Sequence, residues 1–513
     1  MTDPRPVCTE KTQDIIKTLR SNVQVEAALE LAVKQQEKRI ADQIILTETP
    51  APPFHEEERA KVLLGMFKQY GLTDVKQDAI GNVIGRRKGT GNGPTLVVGA
   101  HIDTVFPAGT DCKVHRDGDV YSAPGISEKR IADQIILTET PAPPFHEEER
   151  AKVLLGMFKQ YGLTDVKQDA IGNVIGRRKG TGNGPTLVVG AHIDTVFPAG
   201  TDCKVHRDGD VYSAPGISDD AAGLASMLQV IRCLNENNIE TVGDIVFVGT
   251  LGEEGNGDLR GCKALFKEKN DYDGMIAIDS ANVHRILRGA VGCKRFRIIF
   301  EGPGGHSLHK FGIVGSAIHG LSRAIVRVDE LKVPTDPKCT FNFGVIKGGT
   351  SVNAIAARAE AELDIRSFNQ PALEAFVKTV LETIEAACDE ENMRWGLEGD
   401  GMVSLKIEQI GDRPAGMNAD DASVIQAAYG SLLSLGISLD KYTLAATDQN
   451  VPLFYGLPAT TLGAGGTEEN NHALSERWNA KDAFQGPQVA FLTALTLVGM
   501  KGVSEPILEK VQH

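Results

Sequence analysis

The chain has 513 residues, 41% hydrophobic and 24% charged, with a formal net charge of −14. That length exceeds what one hydrophobic core organises, the composition is that of an ordinary soluble enzyme, and the acidity argues against nucleic acid or an anionic membrane surface as partner. Eight cysteines with no CxxC pair suggest neither a disulfide framework nor a structural zinc knuckle, and with no signal-type or transmembrane run a cytoplasmic protein is expected.

Residues 37–127 and 128–218 are the same 91-residue sequence without one difference. Independent selection on two positions in a fold would leave them different, so the pair reads as a recent or artificial tandem duplication of part of one domain. Ahead of it, Ile15, Ile16, Leu19, Val23 and Val25 open a helical spacing that runs to about Thr47. Two amphipathic helices are predicted there, the second passing through the copy boundary at Glu37 and stopping before Thr49-Pro50.

Each copy then predicts one helix, Glu56 to Tyr70 or Glu147 to Tyr161, and three short strands. In the first copy the strands are Asp74 to Gln77, Asn82 to Arg87 and Thr95 to Ala100, with a Gly-rich turn at 88–94. After the second copy come a helix to about Asn237, a strand over Asp244 to Thr250, a helix over Leu259 to Lys267 and a strand over Gly274 to Ile278. This alternation points to an α/β sheet.

From Gly292 the order becomes strand (Cys293 to Phe300), helix (Gly315 to Leu331), strands (Thr340 to Ile346, Ala356 to Ile365), helix (Pro371 to Asn392) and strand (Met402 to Ile410). That is the β-α-β-β-α-β order of a ferredoxin-like module. Sheet-type strands are expected to resume at Leu453 to Phe454 and Ala459 to Leu462, before a closing helix near Gln488 to Val498. The module therefore reads as an insertion, and the fold class as α/β with a mixed sheet flanked by helices.

At the ends of the predicted sheet strands, or just after them, stand His192, Asp219, Glu253, Glu254, Asp279 and His472. In open α/β sheets that edge is where ligands bind. Two histidines and three carboxylates can hold two divalent ions with one carboxylate bridging, and a remaining carboxylate can deprotonate a water. Singly, each is more often a structural histidine or a solvated acid. Jointly they resist that reading, because Gly252-Glu253-Glu254-Gly255 follows a Val/Ile/Phe strand, and buried carboxylates need cations. His192 and Asp194, two apart along an extended stretch, share a face, so the acid can orient the imidazole.

His192-x-Asp194-Thr195-Val196, Gly216-x-x-Asp219-Asp220-x-x-Gly223, Gly252-Glu253-Glu254-Gly255, Asp279 and Asn471-His472, in this order, resemble the dizinc exopeptidase and deacylase family of carboxypeptidase G, peptidase T, the tripeptidases, aminoacylase and acetylornithine deacetylase. The resemblance covers about residue 128 to the end. It implies that Asp219 bridges two zinc ions, cobalt or manganese being possible substitutes. His192 and Asp279 would complete one metal and Glu254 and His472 the other, with Glu253 as general base and Asp194 behind His192. It also marks Asp219-Asp220 as a candidate cis peptide bond.

In the inserted module the resemblance implies that His306, in Gly304-Gly305-His306-Ser307, reaches the active site of a second subunit in a homodimer. Asn353 and Arg366 match positions that hold the substrate carboxylate. Ala356 stands where the family commonly has proline, and without that context Arg366 reads as a strand-end surface charge. The expected organisation is 1–127 as N-terminal helices with an extra copy, 128–291 with 411–513 as the catalytic domain, and 292–410 as a lid or dimerisation domain.

Only the second copy runs directly into Asp219, whereas the first ends at Ser127 and meets Glu128. The second copy is therefore expected to supply His192 and Asp194, leaving His101 and Asp103 without a local bridging partner. The expected activity is hydrolysis of amide bonds in short peptides, on the peptidase T and tripeptidase side. The alternatives are deacylation of N-acyl amino acids, or a non-catalytic scaffold left by the duplication.

Overall fold

In the computed structural model the described residues are 9–30, 49, 57–69, 72–78, 83–86, 115–117, 120–122, 129–267 and 270–511. They divide into one unit of Met1–Glu26 with Gln134–His513, and a second of Ala27–Asp133.

The first unit opens with α1 (Glu10–Ser21), which starts where the Thr9 side chain accepts the Thr12 N–H, and buries Ile16 and Leu19. It resumes at Gln134, within α2 (Lys129–Glu139), and continues through α3 (Glu148–Gln160), β1 (Thr164–Gln168), β2 (Val174–Arg178), β3 (Thr186–His192), α4 (Ala221–Glu236), β4 (Asp244–Thr250), α5 (Arg260–Lys267), β5 (Gly274–Ile278) and β6 (Arg285–Ala290). The inserted module follows as β7 (Gly292–Glu301), α6 (Ala317–Asp329), β8 (Cys339–Gly348), β9 (Arg358–Ser367), α7 (Gln370–Arg394) and β10 (Ser404–Arg413). The chain then returns with β11 (Gly416–Met417), α8 (Ser423–Leu435), β12 (Lys441–Ala445), β13 (Ala459–Leu462) and α9 (Gln485–Val498).

Among the described residues nine strands form the main sheet, in the order β11-β6-β13-β5-β3-β4-β2-β1 with β12 beside β6. Its centre is parallel, β3 lying between β4 and β5, and its far side turns antiparallel at β2 and β1. Helices α4 and α9 pack together and against β3, and β3 and β5 are buried at every residue, without the alternation of a half-exposed strand. Leu187, Val188 and Val189 are fully buried, and cutting any of them to alanine would cost about 2–5 kcal/mol. The fold is the α/β arrangement indicated by the sequence, with the mixed sheet and the ferredoxin-like insertion both present.

That insertion is a four-stranded antiparallel sheet, β8-β9-β7-β10, with α6 and α7 packed on it. Helix α7 is set by its first turn: the Asn369 side chain accepts the Ala372 N–H at 3.0 Å, and Pro371 takes an early position where no N–H is needed.

One expected strand is corrected. Leu453 and Phe454 lie in a short helix, Asn450–Phe454, instead. The Asn450 side chain accepts the Thr447 N–H at 2.9 Å and the Asn450 N–H returns to the Thr447 carbonyl, winding the segment; two apolar residues carry no period from which this could be read. The strand on this side is Lys441–Ala445, parallel to β6. No helix among the described residues is long and apolar enough to cross a membrane.

The second unit contains a helix, Glu57–Gln69, and a hairpin, Thr73–Gln77 with Val83–Arg86. Its register, Thr73 opposite Arg86 and Gln77 opposite Val83, is that of Thr164 opposite Arg177 and Gln168 opposite Val174 in β1 and β2. In both copies the hydroxyl at the hairpin's start donates to the facing arginine carbonyl, at 3.0 and 2.9 Å. This helix and hairpin form from their own sequence. The expected strand at Thr95 to Ala100, and His101 and Asp103, lie outside the described residues, as does the continuation of the second N-terminal helix beyond residue 30.

Candidate metal centre

His192 is the last residue of β3, and its ring is held from both sides. Nδ1 lies 3.0 Å from the Asp194 carbonyl oxygen, which can only accept, so Nδ1 carries the hydrogen and Nε2 is the nitrogen left for a ligand or proton. Nε2 lies 2.9 Å from Asp219 Oδ1. Burial alone would lower the His192 pKa, but hydrogen bonds to Asp194 and Asp219 overcome it and hold it well above the ordinary value. Arg150, fully buried, donates to the Ile193 carbonyl at 2.8 Å and to the Thr140 carbonyl at 2.8 Å, fixing the bend that follows the strand.

Asp194 joins the ends of β3 and β4. Its two carboxylate oxygens accept the N–H groups of Glu253 and Glu254, each at 3.0 Å. Burial raises its pKa, but the hydrogen bond from His192 and these two amides reverse the direction and hold it ionised.

Asp219 and Asp220 begin α4 through a cis peptide bond, as the resemblance implied. The Asp220 side chain caps α4 by accepting the Gly223 N–H at 3.0 Å, and also accepts the His192 N–H at 3.1 Å. A Cβ at Gly223 would lie 2.1 Å from that carboxylate, so only glycine fits there. Asp219 faces two histidines with its two oxygens: Oδ1 to His192, and Oδ2 to His472 Nε2 at 3.1 Å. His472 Nε2 is also 3.0 Å from Glu254 Oε1. The hydrogen bonds to Asp219 and Glu254 raise the His472 pKa to about 10, although half of its side chain is exposed.

Asp279, just after β5, accepts the Thr447 hydroxyl at 2.8 Å. Potential ligand atoms of His192, Asp220 and Asp279 lie within 4.8 Å of one another, as do those of Asp219, Glu254 and His472, and those of His192, Glu253 and Glu254. Glu253 is buried, and burial drives its pKa well upward; its opposing charge is Arg413, whose Nη1 is 3.3 Å from Oε1 and whose Nη2 donates to the Glu253 carbonyl. The donor set fits divalent cations, since five carboxylates and two imidazoles converge while Arg413 pairs with Glu253 alone among them, and Asp448 Oδ1 is buried without a hydrogen-bond partner. Burial raises Asp448 to about 6.

The model for "Peptidase family M20/M25/M40" matches residues 188–495. The chain belongs to that family. This M20-family chain is accordingly a metallopeptidase or amidohydrolase, a metal-dependent enzyme acting on amide bonds. It is 29% identical over 366 residues to the Bacillus subtilis protein YqjE, covering 69% of this chain and 94% of that one. A tripeptidase from Staphylococcus aureus is similar in structure, with a TM-score of 0.60 at 26% identity over 72% of this chain and 98% of that chain. Aminopeptidase PepT from Bacillus cereus gives 0.59 at 25% identity, over 71% and 97%.

Six of the residues singled out from this M20 sequence, His192, Asp219, Glu253, Glu254, Asp279 and His472, fall in one cluster with Asp194 behind them. The three from the inserted module do not join it by any hydrogen bond or ion pair among the described residues. His306 packs against His309 with ring centroids 4.7 Å apart and the rings tilted by 42°, and accepts the Leu308 N–H at 3.2 Å. Asn353 lies in the turn just before Ala354–Ile355, the short strand that pairs with Gly305–His306, and accepts the Ser351 hydroxyl at 2.7 Å. Arg366, at the end of β9, is paired with Asp364 at 2.7 Å. Sequence reasoning missed Arg150, Arg413 and Glu476. Each is a charged residue in a locally polar or helical setting, and only the tertiary fold buries it.

Proposed function

We propose that the chain is a homodimeric exopeptidase of short peptides that holds two zinc ions, with cobalt or manganese able to replace them. The observation that carries this is Asp219, whose two carboxylate oxygens each face a histidine from a distant part of the sequence. His192 and Asp279 would hold one ion, Glu254 and His472 the other, and Asp219 would lie between them. What the cations supply when bound is a lowered water pKa and polarisation of the scissile carbonyl.

The protein's own part is proton handling and aim. Glu253 takes the proton from the attacking water and returns it to the leaving amine, while Arg413 fixes the direction of its carboxylate. Asp194 fixes the His192 tautomer and, through the amides of Glu253 and Glu254, the base and a ligand together. His306, Asn353 and Arg366 would bind substrate from the inserted module, His306 at the centre of the other subunit. Six described cysteines are free, which suits a reducing, cytoplasmic compartment.

A size-resolved preparation assayed against di- and tripeptides, N-acetyl and N-succinyl amino acids tests the reading. Peptide hydrolysis should run with the dimer. Turnover confined to N-acyl amino acids would make the enzyme a deacylase, and activity confined to the 55.0 kDa monomer would remove the dimer.

A further inference from the structure

We propose that Glu476 is a positioning residue that sets the spacing between the bridging carboxylate and its second histidine; this rests on the two-metal reading above. Glu476 is fully buried, four residues beyond His472, and no metal role falls to it. Its carboxylate is saturated by one loop: Oε2 accepts the Gly216 N–H at 2.9 Å, and Oε1 accepts the Ser218 N–H at 2.9 Å, the Ser218 hydroxyl at 2.6 Å and the Asp219 N–H at 3.1 Å. The segment that carries His472 is thereby tied to the backbone that carries Asp219. His472 Nε2 and Asp219 Oδ2 face each other at 3.1 Å across the same tie.

Two features separate this from ordinary loop packing. A carboxylate accepting several backbone N–H groups is a strong and directional anchor, and here the last of those amides belongs to the proposed bridging residue itself. The anchor also acts where the copies differ: Ser127, the counterpart of Ser218, is followed by Glu128 rather than by the Asp pair. Glu476 thus fixes the one junction at which a repeated segment delivers a bridging ligand.

The test is titration of metal-stripped protein with Co2+, read by visible absorption, for wild type, Glu476→Gln and Ser218→Ala, beside kcat and KM. The glutamine variant presents an NH2 group to some of the four donors and should bind Co2+ about 10- to 100-fold more weakly in at least one step, as outer-sphere substitutions do. kcat should fall and be partly restored by excess metal, with KM little changed. Ser218→Ala should move the same quantities less, and add little in the Glu476→Gln background. Unchanged Co2+ affinity in a folded Glu476→Gln protein, with only a lower melting temperature, would overturn the proposal. Wild type that binds no Co2+ would instead remove the two-metal reading beneath it.

Discussion

Glu253→Gln is expected to lower kcat by roughly 10²- to 10⁴-fold, the range of a general base, with KM and metal content near wild type. The carboxamide would keep an oxygen for Arg413 while losing the capacity to take a proton. The alanine variant is a poorer probe. Glu253 and Arg413 are 8% and 7% exposed, and removing one member of such a pair costs about 3–5 kcal/mol because the other charge stays buried. Steady-state kinetics with a thermal midpoint for each variant separates the two effects. A glutamine variant that retains wild-type kcat would remove Glu253 from its role.

His192→Ala is expected to abolish hydrolysis, and His101→Ala to leave it unchanged, although the two histidines occupy the same place in identical segments. The sheet is built from the second copy: β1, β2 and β3 all lie within 128–218, and β3 delivers His192 to within 2.9 Å of Asp219. Losing a proposed direct ligand should exceed the roughly 10–100-fold that outer-sphere changes cost. Paired assays of the two variants decide it. Activity lost with His101 and kept with His192 would assign the site to the first copy.

What was legible in the sequence follows from where each signal resides. Strands over 244–250 and 274–278 were readable because both faces of the central sheet are covered, leaving continuous apolar runs. Glu253, Glu254 and Asp279 were readable because they follow closely on those runs, and His192 because it ends a third such strand, whereas Asp219 and His472 stand in turns and were singled out by the motif resemblance. Leu453-Phe454 was misread because a short helix wound by Asn450 leaves no period in two residues. Arg413 and Glu476 were invisible for another reason: each is an ordinary charged residue in sequence, and its meaning arises from Glu253, or from Gly216 to Asp219, brought beside it from more than 150 residues away. Local encoding shows most plainly in the hairpin of 73–86, which repeats the register of 164–177 outside the main sheet.

Metal content per chain, measured on purified protein before and after exhaustive chelation, tests the central claim most directly. Convergence of His192, Asp219, Glu254, Asp279 and His472 predicts close to two divalent ions per chain, with peptide hydrolysis lost on their removal and regained on their return. Hydrolysis at the original rate by protein stripped of metal would contradict it.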